Sequence, residues 1–134
     1  MPQIRQVVSA GLMTAAVWAI LGGTAVPAAA QAPQQEQRQY DDKLMRLSEI
    51  LGAVHFLREL CGGNDGMLWR DRMSELMNAE ASSALRRVKL TRAFNGGYRS
   101  YSRTYTNCTP TAQSAITKFM AEAADIADAL VKLP

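Results

Sequence analysis

Side chains equipped for chemistry are few in this sequence, and most of their spacings match no catalytic pattern. His55 is the lone histidine. It stands beside an apolar stripe, where a structural imidazole is a better reading than a general base. Cys61 and Cys108 are the only cysteines. In an exported chain an even pair reads first as a disulfide, with free or metal-binding thiols as the alternative. One histidine cannot complete a usual zinc set with them. Without Cys-x-x-Cys spacing, a staple is favoured over a redox pair. Glu75 with Glu80, or Asp125 with Asp128, could serve as carboxylate pairs, but solvated helix faces explain both. The sequence lacks Gly-x-Ser-x-Gly, a phosphate-cradling glycine loop and His-Glu-x-x-His. We therefore expect no catalytic residues, no metal site and no cofactor.

Binding is the chemistry better represented. Trp69, Arg70 and Arg72 form one group, and Tyr98, Arg99 and Arg103 another. Aromatic and arginine side chains supply area and directed contacts, as concentrated binding surfaces require. The alternative is structural: Tyr98, Tyr101 and Tyr105 at helical spacing as core, Arg99 and Arg103 solvated, and Arg70-Asp71-Arg72 in an ion-pair network.

The first residues decide the compartment. Arg5 is followed by an uncharged apolar run, Val7 to Val26, then Pro27-Ala28-Ala29-Ala30. Small residues at −3 and −1 fit cleavage between Ala30 and Gln31. We expect a signal peptide over 1–30 rather than a membrane span, since Gly22-Gly23-Thr24 dilutes the run and no positive cluster stops transfer. The product would be periplasmic, with no stable membrane insertion. Lys and Arg total 15 against 12 Asp and Glu. Their interspersion predicts no nucleic-acid partner and no strongly membrane-seeking surface.

The mature part is long enough for one domain with a single core. Residues 31–39, rich in Gln and lacking apolar period, are expected to be a flexible leader. Order should begin near Tyr40. Leu44, Leu47, Ile50, Leu51, Val54, Leu57, Leu60 and Cys61 mark a helix over Asp41 to Leu60, stopped by Gly62-Gly63-Asn64-Asp65-Gly66. A second helix is expected from Met67 to Ala79, with Asp65 as its cap and Trp69, Met73, Leu76 and Met77 inward. Ser82 or Ser83 caps a third, with Leu85, Val88, Phe94, Tyr98, Tyr101 and Tyr105 inward. Because that stripe stays in phase across Asn95-Gly96-Gly97, one long helix is preferred to a break. Thr109-Pro110 starts the fourth, running to Leu133 with Ala112, Ile116, Phe119, Met120, Ala123, Ile126 and Leu130 inward. Four helices running up, down, up, down bring Cys61 and Cys108 to one end. The expected fold is an all-α, four-helix bundle, possibly irregular, with one disulfide, over residues 40–134.

The strings Tyr40-Asp41-Asp42-Lys43-Leu44, Leu57-Arg58-Glu59-Leu60-Cys61, Trp69-Arg70-Asp71, Phe94-Asn95-Gly96-Gly97-Tyr98-Arg99 and Tyr105-Thr106-Asn107-Cys108-Thr109-Pro110 resemble an uncharacterised family. Its members are short exported alphaproteobacterial proteins with two cysteines. The resemblance covers Tyr40 to about Leu130. It implies a Gram-negative periplasm and a paired-cysteine helical domain, and supplies no catalytic residues.

The function expected is that of a non-catalytic envelope interaction protein, binding another envelope protein or a cell-wall component through Trp69, Arg70, Arg72, Tyr98, Arg99 and Arg103. The alternatives are a glycan-acting enzyme, which needs two carboxylates about 5–9.5 Å apart across a cleft, and a small-ligand carrier with a cavity lined by Trp69, Tyr98 and Tyr101.

Overall fold

The computed structural model describes residues 32–133. The expected signal peptide, 1–30, lies outside the described residues. Four helices follow in order: α1 (Ala32–Leu60), α2 (Leu68–Glu80), α3 (Ala84–Thr104) and α4 (Pro110–Lys132). Among the described residues there is no strand, and no helix is long and apolar enough to cross a membrane.

Local signals account for most boundaries. Gly62, at φ 75°, ends α1 in the left-handed conformation that glycine adopts without penalty. The Ser83 hydroxyl accepts from the Arg86 N–H at the start of α3, and Thr109 accepts from Ala112 N–H ahead of Pro110. The third helix is continuous through Asn95-Gly96-Gly97. Two expectations fail. The first helix begins at Ala32, so residues 32–39 are helical, although exposed. Good helix formers simply extend a helix already anchored by packing. Asp65 does not cap α2, whose Met67 start carries no side-chain cap; the carboxylate is engaged elsewhere.

The helices alternate in direction, but α1 is a hub. It packs against α2, α3 and α4, α2 touches α3 slightly, and α4 approaches no helix backbone but that of α1. In place of a single core, α1 separates two clusters. Leu44, Met73, Leu90 and Phe94 fill the side shared with α2 and α3. Ile50, Ala53, Val54, Leu57, Ala112 and Phe119 fill the side shared with α4. Arg46 clamps that second side, giving Glu122 two charge-assisted hydrogen bonds of 2.7 and 2.9 Å while lying over the Phe119 ring. The pairing holds the Glu122 carboxyl below its usual range. The Cys61–Cys108 disulfide closes the common end of α1 and α4 across a separation of 47 residues, worth about 4 kcal/mol on the chain-entropy model.

Three residues expected inside are outside. Leu85 and Val88 are 66% and 44% exposed, and Met120 is 42% exposed. In α3 the face against α1 is Leu90, Phe94, Gly97 and Tyr101, at spacings of four, three and four, and Leu85 and Val88 lie off that phase. Met120 borders a gap between α4 and α2.

The α1–α3 crossing is made by backbone. A Cβ built on Gly52 would stand 1.9 Å from the Phe94 carbonyl oxygen, and one on Gly97 would stand 2.0 Å from that of Glu49. Gly96 has open space around it. In urea unfolding, Gly52→Ala and Gly97→Ala should each destabilise by about 2–3 kcal/mol, because an added methyl must push helices apart. Gly96→Ala should raise stability by about 0.5–1 kcal/mol through helix propensity alone. Equal effects at Gly96 and Gly97 would contradict the crossing.

Candidate binding site

The α1–α2–α3 junction holds a polar line. His55, 2% exposed, accepts a 3.1 Å hydrogen bond at Nε2 from the Arg70 Nε–H. With that lone pair engaged, a neutral ring carries its proton on Nδ1, which is buried without a partner. The ring packs against Phe94 and Tyr98 at centroid distances of 6.1 and 5.6 Å. Glu59 Oε1 lies 3.6 Å from the same Nε2, and the Tyr98 hydroxyl donates to Glu59 at 3.5 Å. A buried ring whose Nε2 accepts from the guanidinium helps to position Arg70 at the junction.

A second arrangement fixes Trp69. The Asp65 carboxylate accepts from Arg58 Nε and Nη2 at 2.6 and 2.7 Å, and from the Trp69 indole N–H at 2.8 Å. One carboxylate thereby ties the end of α1, the glycine loop and the first turn of α2. Trp69 then packs against the Leu57 cluster and lines an open groove of about 600 Å³. Leu47 and Leu51 of α1 line the groove with Leu68 and Leu76 of α2 and Met120 of α4. Arg72 lines it too, paired with Glu75 at 2.8 Å.

The six residues singled out from the sequence thus occupy three places. Trp69 and Arg72 belong to the groove between α2 and α4. Arg70 and Tyr98 meet His55 and Glu59 at the α1–α2–α3 junction. Arg99 and Arg103 are exposed on α3. Tyr98 lies edge-on to Phe56, while Tyr101 packs on Phe119 and Tyr105, so these rings serve separate contacts. Burial holds the Tyr101 hydroxyl above its usual pKa. Among the described residues no group of three or more His, Cys, Asp or Glu is placed to hold a metal ion. Glu75, Asp125 and Asp128 are exposed on helices. Leu47, Leu51 and Met120 carry the apolar signature of core, and only the separation of the α2 and α4 backbones turns them into a groove wall. Asp65 had a signal, four residues before Trp69 and seven after Arg58, but it also suited a helix cap.

The Arg58 guanidinium, aided by the Trp69 indole, lowers the Asp65 pKa to about 2. A depressed carboxylate contributes stability above its unfolded value, about 3.9, and loses it as pH falls through the folded value. The Trp69 indole N–H resonance should therefore keep its native shift through pH 4 and move only as pH approaches 2. In Asp65→Asn it should already be shifted at neutral pH. A midpoint near 4 would show that Asp65 is not engaged as described.

Comparison with curated proteins and with solved structures yields no match. A family model matches residues 39–133, which span the end of the exposed first stretch of α1 through the whole helical domain. The chain belongs to that family, described as protein of unknown function (DUF2385).

Proposed function

We propose that this is a non-catalytic interaction protein of the bacterial cell envelope, exported to the periplasm by a cleaved N-terminal signal, that seats the apolar face of a helix of another envelope protein. The observation carrying this reading is that α2 and α4 both lie on α1 while their backbones stay apart. Their separation leaves Leu47, Leu51, Leu68, Trp69, Leu76 and Met120 as an apolar channel. The α2 wall runs from Leu68 to Ala79, roughly 16 Å at 1.5 Å per residue. A helix laid there would anchor through side chains at i, i+3, i+4 and i+7. Trp69, pinned by Asp65, supplies a rigid aromatic wall at little entropy cost, and Arg72 gives the rim a directed polar contact. An exported location agrees with the Cys61–Cys108 bond, since such bonds persist in oxidising compartments.

A photo-crosslinking side chain at Met120, activated in intact cells, should capture one discrete envelope protein, with the adduct mapped to an apolar helix face. Leu68→Glu should lower that capture at least about tenfold by placing an unpaired charge in the channel, while leaving the thermal midpoint nearly unchanged because Leu68 is 39% exposed. Undiminished capture in Leu68→Glu, or adducts scattered over many proteins, would overturn the reading.

A further inference from the structure

The near balance of charge over the whole chain conceals a segregation. From Ala81 to Ala121 there is no acidic side chain, and α3 alone carries Arg86, Arg87, Lys89, Arg92, Arg99 and Arg103. Arg86 is paired with Asp41 of α1. The other five are exposed, and among the described residues none has a carboxylate within ion-pairing distance. The exposed apolar residues of α3 share this surface. Leu85, Val88, Arg92, Arg99 and Arg103 are spaced three, four, seven and four apart, which puts them on one side of the helix. That side is out of phase with Leu90, Phe94, Gly97 and Tyr101, which meet α1. The stripe runs about 27 Å along α3.

We infer that this outward face of α3 is a docking surface for an anionic phospholipid bilayer, with Arg92, Arg99 and Arg103 on headgroup phosphates and Leu85 and Val88 entering the interface beneath them. Charge complementarity selects a polyanion. Arginine fits phosphate with paired N–H donors, and cations close to an anionic leaflet act additively. The apolar pair selects the lipid, because a bilayer offers an apolar layer just below its phosphates, whereas a duplex presents phosphates with no such layer around them. Docking is peripheral: α3 stays packed on α1 through Gly97, and among the described residues no helix is long and apolar enough to cross the bilayer.

The test is co-flotation of the purified, disulfide-intact full chain with vesicles of phosphatidylglycerol and phosphatidylcholine, against vesicles of phosphatidylcholine alone. Any apolar leader retained on the chain contributes to both vesicle types. Arg92→Gln/Arg99→Gln/Arg103→Gln should lower partitioning to the anionic vesicles about a hundredfold, at roughly fivefold per cation. Arg38→Gln/Lys118→Gln/Lys132→Gln removes the same charge from α1 and α4, and should change it less than about fivefold. Leu85→Ser/Val88→Ser should cost about tenfold on vesicles and nothing on a short DNA duplex. Equal partitioning of wild type to both vesicle types, or equal losses in the two charge variants, would overturn the inference. So would a Leu85→Ser/Val88→Ser protein that floats as well as wild type, since the face would then be a general polyanion surface.

Discussion

Everything in this domain is arranged around a place where two helices touch without side chains between them. Gly52 of α1 and Gly97 of α3 each lie against a carbonyl of the other helix, so the two backbones meet at the distance set by main-chain atoms. Such an approach gains dispersion contacts along both helices and favours weak Cα–H···O interactions. It also fixes rotation: once Gly97 faces α1, Leu90, Phe94 and Tyr101 must face it too, and Leu85 and Val88 cannot. The exposed stripe of α3 follows from the buried glycine, because a helix has one phase.

The same crossing commits one flank of α1 to α3, leaving α2 and α4 to settle on other sides. His55 and Leu44 meet α2, while Ile50 and Leu57 meet α4. With the two satellites on separate sides of the hub, the interior divides into two clusters, and a groove opens between α2 and α4 over α1. The fixed points at its margin are polar. Asp65 pins Trp69 at one wall, and the Arg46–Glu122 pair holds α4 at the other.

Much of this architecture was legible in the sequence because its signals are local. Thr109-Pro110 and Ser83 state where helices begin, the glycines after Cys61 state where one ends, and the in-phase stripe across Asn95-Gly96-Gly97 states that α3 is unbroken. What escaped depends on partners remote in sequence. Gly52 carries no apolar signature and is explained only by Gly97. Arg46 and Glu122 stand 76 residues apart, beyond any helical periodicity. Leu85, Val88 and Met120 look like core until the packing face of each helix is known. The candidate binding residues stand out by type, and type does not say which side of a helix a side chain leaves from; hence Arg70 and Trp69, adjacent in the chain, serve different surfaces. The one-signed stretch around α3 was readable directly, but a count over the whole chain averaged it away.

The hub has a temporal side as well. Chains are made N-terminus first, and here the helix against which the others pack is also the first of the four described helices. By the time α2, α3 or α4 emerges, its docking surface already exists, so each addition is a pairing with a template rather than a search among equals. The backbones of α2 and α4 do not approach each other, so these two have little opportunity to pair wrongly in its absence. Cys108 arrives only after α3 has been laid down, so closure of the covalent loop falls after the Gly52–Gly97 crossing has had its chance to form. Placement of the most connected element ahead of the other three described helices thus makes their order of appearance and their order of assembly the same.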